Sequence, residues 1–416
     1  MTTTREKSST AKEKSLIAYK KLDKAAEVAF YYGFTPIERP KITRDDSAKA
    51  KSLFDGDYKI KNYGTNACYL AMAPEEKLAL LRLYHEKNMA SLPQPVMIYF
   101  ESNGDTSGGK SDKNSKEKRF NLEIIGTSKS VAEATLIKTA VEILRQEGFS
   151  DLFVDINSIG DKDSLGRFVK ELSAYYRKNI SSLSAHCRQA LKQEIFDVAE
   201  CDDEKCQTLK EKAPQSLSFL SEPSRRHFKE VLEYIESLNI PYRINGTLLG
   251  HRKFCAHTVF HIKNITHAET EKEEEIDQTL AIGFRYGGLS RKLDLKKEIP
   301  AVGVTIAYKR KEGPSKHGTR QKNPKIYFIQ LGFEAKLKSL EVIEMLRLEH
   351  IPLAQSLSRD KLTSQLASAE HLKIPYALIM GQKEAVEGSV IVRNMNTRFQ
   401  ETVKIPDLPT YLKKYL

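Results

Sequence analysis

Between Lys309 and Lys325 the chain carries Lys309, Arg310, Lys311, Lys316, Arg320, Lys322 and Lys325 against a single acid, Glu312, with Gly313, Pro314 and Gly318 interspersed. A stretch so charged and so rich in turn formers cannot continue a buried element and reads as a linker. The rhythm of the chain differs on its two sides. Downstream, 326–330 (strand), 335–349 (helix), 353–357 (strand), 361–371 (helix), 376–380 (strand) and 390–392 (strand) alternate regularly, which predicts a small α/β domain. Upstream, strands and helices come in runs without strict alternation, which implies an antiparallel or mixed sheet in an α+β domain. The expected organisation is a flexible segment 1–14, a first domain 15–308, the linker 309–324 and a second domain 325–416.

Within the first domain, apolar spacing predicts helices over 15–32, 72–84 and 130–148. Strands are expected at 96–100, 120–125, 151–156, 258–263 and 280–286, with helices dominating 163–239. The segment 103–118 is a low-complexity run of Gly, Ser, Asp, Asn and Lys that buries too little apolar surface to order itself. The acidic run 269–275 reads as a solvated turn.

A formal charge of +12 has two readings, a surface that gathers phosphates by Coulomb attraction and counterion release or one that only keeps the protein in solution. Clustering in the linker favours a nucleic-acid partner. No apolar run approaches a membrane span, and the polar first residues lack the apolar core of a secretory signal, so a cytoplasmic address is the simplest expectation. Of five cysteines, Cys201 and Cys206 form one C-x4-C pair without a second, so reduced thiols are expected and no metal site. His251, His257 and His261 recur near one strand without a carboxylate or cysteine at ligand spacing, and are not expected to hold a metal either.

Asn157-Ser158-Ile159-Gly160, Phe196-Asp197, Ala213-Pro214, His227-Phe228 and Thr258-Val259-Phe260 occur in an order that resembles the class II histidyl-tRNA synthetase family. Tyr32-Gly33-Phe34 with Ile37 and Pro40 resembles that family's motif 1, the dimer-forming helix-strand unit, and Glu123-Ile124-Ile125-Gly126 resembles the strand that closes motif 2. Gly283 to Leu289, then Pro300-Ala301-Val302-Gly303, resembles the approach to motif 3. Lys361, Gln365, Leu366 and Ala369, followed by Gly381-Gln382-Lys383-Glu384, Gly388 and Val390 to Arg393, are similar to the anticodon-binding domain. The resemblance implies an antiparallel catalytic sheet with helices, an α/β anticodon-binding-type domain, tRNA as partner and a homodimer or a heterodimer with a complete synthetase. ATP and Mg are the cofactors it implies if the site is functional.

Position by position, the catalytic set is eroded. Met72-Ala73-Pro74-Glu75 resembles the family's L-R-P-E with its Arg lost; Glu75 either holds an α-ammonium group or is an ordinary helix-start carboxylate. The small residue and Thr that follow in the family are Glu76 and Lys77. The phosphate-gripping Arg of motif 2 falls at Tyr99, and Arg119 stands near the place of a substrate-reading Gln. Glu123 keeps a substrate-contacting position, and Arg285 and Tyr286 either contact substrate or pack the domain. The family's R-G-L-D-Y-Y is Gly250-His251-Arg252-Lys253-Phe254-Cys255, without its Arg and both tyrosine hydroxyls. In motif 3, G-L-E-R becomes Ala307-Tyr308-Lys309-Arg310, leaving Arg310 as the matching ATP-contacting cation, equally placed to touch RNA with Lys309, Lys311, Lys316, Arg320, Lys322 and Lys325. Loss of one charge-stabilising donor typically costs about 10²–10³ in rate. The expectation is a catalytically impaired paralogue that binds tRNA or acts in regulation. An active histidine–tRNA ligase is the alternative, and a regulatory subunit of histidine biosynthesis, which generally lacks the C-terminal domain, a further one.

Overall fold

The computed structural model describes residues 23–53, 74–103, 117–193, 195–199, 201, 203–251, 253–266, 276–295, 297–309, 324–357 and 359–415. The expected segments 1–14 and 15–22, the loop residues 104–116, the acidic run 269–275 and linker residues 310–323 lie outside these.

Alternation of side chains along each strand sorts the first domain into two faces of one sheet. Its strands are β1 (Thr35–Pro36), β2 (Val96–Asn103), β3 (Glu117–Ile125), β4 (Leu152–Ser158), β5 (Tyr242–Ile244), β6 (Ala256–Thr266), β7 (Ile276–Arg285) and β8 (Ala301–Lys309), in the order β1-β2-β3-β8-β7-β6-β4-β5. The six inner strands pair antiparallel and the short edge strands β1 and β5 pair parallel. This is the mixed-sheet α+β architecture expected from the sequence. Met97, Tyr99, Phe120, Leu122 and Ile124 face the helix Val131–Gln146, which is buried along nearly its whole length, with the helices Lys24–Tyr31 and Glu222–Ser237 beside it. Val96, Ile98, Phe100, Ile125, Phe284 and Tyr286 face the other way, toward the helix Pro74–Glu86 and the helices between β4 and β5. Strand β8, in the middle of the sheet, was not anticipated as a strand, because Ala301-Val302-Gly303-Val304 is apolar without alternation and buried on both faces.

The second sheet runs β10 (Leu353–Gln355), β9 (Ile326–Gln330), β11 (Tyr376–Met380), β12 (Ser389–Asn394), β13 (Gln400–Lys404), parallel through β11 and antiparallel beyond it. Its helix Phe333–Leu348 docks on the first domain. Tyr32 donates to Glu344 at 2.8 Å, Arg347 lies 3.8 Å from Glu142, Phe333 packs on Tyr234 with centroids 5.0 Å apart, and Asp360 binds both Lys129 and Lys336. Apolar residues of the two sheets form one continuous cluster. No described helix is long and apolar enough to cross a membrane.

Candidate active site

On the face opposite the helix Val131–Gln146, Glu123 of β3 stands between Ile98 of β2 and Gly303 of β8. A Cβ at position 303 would lie 1.9 Å from a Glu123 carboxylate oxygen, so glycine there makes the space the carboxylate occupies. Lys77, in the first turns of the helix Pro74–Glu86, reaches down and ion-pairs with Glu123 Oε1. Tyr286 donates its hydroxyl to Oε2 at 2.7 Å. The ammonium also lies 5.1 Å from the Tyr286 ring centroid and 5.9 Å from that of Phe284, a cation held among π faces. Both carboxylate oxygens therefore have partners, all of them buried.

Burial raises the Glu123 carboxyl above its ordinary range even against the charge of Lys77, and the nearby Glu76 raises it further. Burial, and then the Glu123 charge, hold the Tyr286 phenol well above 10. Phe254 continues the wall, its ring 5.9 Å from Phe284 and stacked on His251 at 4.6 Å. Cys255 Sγ accepts the His251 backbone N–H at 3.3 Å. Gly250 has φ +62°, a left-handed conformation that strains any side chain, and a Cβ there would come within 3.0 Å of Cys255 Sγ. A side chain at that position would carry backbone strain and press on Cys255.

Tyr99 does not line this site. It pairs in register with Leu122, on the helix-packed side of the sheet, and stacks on Phe120 at 5.1 Å. Its apolar-side position is fixed by strand alternation, which a motif match alone does not test. Phe100, one residue on, is the β2 residue on the Glu123 side. Glu75 sits half-buried in the first turn of its helix, and neighbouring Glu76 pairs with Arg39 at 3.0 Å.

Arg285 points away from the site. Its Nε donates to Glu133 Oε1 at 2.6 Å and one terminal nitrogen to Oε2 at 2.5 Å, while the guanidinium also donates to the carbonyls of Thr127 and Lys129. His227 Nε2 lies 2.6 Å from Glu133. Burial would raise the Glu133 carboxyl, but Arg285 and His227 overcome it and hold it at about 2. Of the sequence-predicted pair, then, Tyr286 joins Glu123 and Arg285 clamps a helix to the sheet. Arg310, Lys311, Lys316, Arg320 and Lys322 lie outside the described residues; Lys309 ends β8, and Lys325 is exposed just before β9. Among the predicted histidines, His251 stacks on Phe254 and His257 lies 5.3 Å from His227. The role of Lys77 was missed because a lysine in a helix ordinarily faces water; only its register at a family threonine position marked it.

Residues 325–415 match the family described as "Anticodon binding domain". Over 406 residues, 94% of each chain, the sequence is 25% identical to the histidine–tRNA ligase of Dehalococcoides mccartyi. It is 27% identical over 342 residues to that of Listeria innocua, covering 80% of this chain and 79% of the relative. Over nearly its whole length the chain is thus similar to histidine–tRNA ligases, and its residues 325–415 match an anticodon-binding domain. An apo histidyl-tRNA synthetase from S. aureus covers 93% of both chains at 22% identity and TM-score 0.49.

Proposed function

We propose that this chain is a catalytically impaired member of the histidyl-tRNA synthetase-like family that binds tRNA or a tRNA-like RNA, as a homodimer or beside a complete synthetase. The observation that carries the reading is Lys77. In the resemblance, Glu123 contacts the amino-acid substrate; here a lysine of the chain itself meets that carboxylate, and Tyr286 takes its other oxygen. A histidine ammonium would have to displace a buried ion pair, which leaves an uncompensated charge behind. Glu76 is likewise engaged, by Arg39 at 3.0 Å. Gly250 offers no guanidinium at the position where the family places an arginine, and Phe254 and Cys255 offer no hydroxyls to an imidazole, so discrimination by buried polar pairs is lost as well.

The match over residues 325–415 and the basic stretch Lys309 to Lys325 support the RNA half of the proposal. The competing reading, a working histidine–tRNA ligase, draws on the nearly end-to-end match to histidine–tRNA ligases. Histidine-dependent pyrophosphate exchange separates the two. We expect none from the purified chain, and robust exchange would replace this proposal with the ligase. For RNA, anisotropy across a salt series should give a log–log slope that flattens by up to about two to three in the triple variant Lys316→Ala, Arg320→Ala, Lys322→Ala, at about 0.7–0.9 per phosphate contact. Undetectable binding of histidine tRNA at low salt would end the RNA reading.

A further inference from the structure

Cys187, Cys201 and Cys206 arrive from three separate places in the segment between β4 and β5. Cys187 lies in the first turn of the helix Ala185–Gln193 and Cys206 in the first turn of the helix Glu204–Glu211, while Cys201 sits in the connection before the latter. Their sulfurs all fall within 4.8 Å of one another, and those of Cys187 and Cys206 are 3.3 Å apart. Three thiolates tetrahedrally bound to one zinc at about 2.3 Å would stand roughly 3.8 Å apart, inside that spread. A second feature is Tyr176. It is 1% exposed, its hydroxyl has no hydrogen-bond partner, and it shares a buried cluster with Cys187 and Cys206. An orphaned buried donor costs about 1–3 kcal/mol unless an acceptor forms beside it.

The first turns of both helices place positive backbone dipole ends near Cys187 and Cys206, a setting that favours thiolate over thiol. A disulfide would use two of the sulfurs only, leaving Cys201 and the Tyr176 hydroxyl unexplained.

We propose that Cys187, Cys201 and Cys206 bind one soft divalent cation, zinc by preference, with water in the fourth position and the Tyr176 hydroxyl donating to a bound thiolate. Each ligated thiol releases its proton to solvent on binding. The ion fastens the starts of two short helices, and its role is structural. The inference stands independently of the functional reading.

The test uses the full chain, purified under reducing conditions and loaded with cobalt(II) or zinc. Cobalt should bind one per chain with sulfur-to-cobalt charge-transfer absorption and tetrahedral d–d bands, and zinc should displace it. Cys201→Ser, whose partly exposed position makes it the mildest change, should remove the charge-transfer intensity in proportion, and Cys255→Ser should leave it unchanged. Tyr176→Phe should keep the spectrum but release zinc faster to a chromogenic chelator. Absence of a thiolate–cobalt spectrum in folded, reduced wild-type protein would overturn the proposal. So would an undiminished spectrum in Cys201→Ser, or aerobic protein that carries no zinc and has lost two titratable thiols.

Discussion

Glu123 and Glu133 are both fully buried, both paired with a cation and both bonded by a second ring-bearing side chain, yet they lie on opposite faces of the sheet and their carboxyls shift in opposite directions. Glu133 meets the planar fork of Arg285 through both oxygens, with His227 added, and is held at about 2. Glu123 meets the single point charge of Lys77 and a neutral phenol, and burial wins, leaving its carboxyl raised. A bidentate guanidinium repays desolvation better than an ammonium does. The first arrangement clamps a helix to the sheet; the second sets a lysine of the chain against a carboxylate at a position where the family resemblance implies substrate contact.

The largest effect that tests this contrast is Glu133→Ala. It leaves Arg285 buried without its carboxylate, and about 3–5 kcal/mol of stability should be lost in urea unfolding at neutral pH. A loss below about 1 kcal/mol would mean that the joint is not what holds the helix Val131–Gln146 to β7. Next comes acid. The Glu133 carboxyl lies below its unfolded value of 4.5, so its contribution is complete above that pH and disappears as pH falls toward about 2. At about 1.4 kcal/mol per pH unit this is on the order of 3 kcal/mol, and Glu133→Gln should flatten that part of the stability–pH curve. Glu123 has the opposite sign: its raised carboxyl makes stability decline as pH rises through and above 4.5.

Lys77→Met alone should cost less than Glu133→Ala, about 1–3 kcal/mol, because Glu123 can take up a proton in place of the lost ion pair. The same variant should raise the pH at which Glu123 titrates, readable by carboxyl-labelled NMR; an unmoved titration would show that Lys77 does not meet this carboxylate in solution. The smallest expected change is in the double variant Lys77→Met, Glu123→Gln, which should stay within about 1 kcal/mol of the wild type, since removing both members of a buried pair is often near neutral. A large further loss there would instead make the pair a stabilising element in its own right.

What was legible in the sequence follows from local rules. Alternation and helical spacing announced β2, β3, β4, β6 and β7 and the rhythm of the second domain, because each such segment must turn one face to a core. The colinear motifs led to Glu123, Tyr286 and Phe254, which the structure places along one wall. Strand β8 was not legible, since a central strand covered on both faces loses alternation, and neither was β13, whose Gln400–Lys404 is largely polar and lies at the sheet edge.

Other features were decided only by tertiary structure. Which side of the sheet a residue faces is a matter of register, and register put Tyr99 in the helix-packed core and Arg285 on Glu133, although both stand in motif-like positions. The partner of Glu123 is distant in the chain, and nothing local in Lys77 says that its ammonium will turn inward. Cys187 likewise lies well before the Cys201–Cys206 pair, and spacing along the chain does not disclose that two helix starts and a connection converge. Sequence determines which groups are present and which local element each occupies; burial and pairing over long chain separations, where desolvation makes each charge depend on its neighbour, determine what those groups can do.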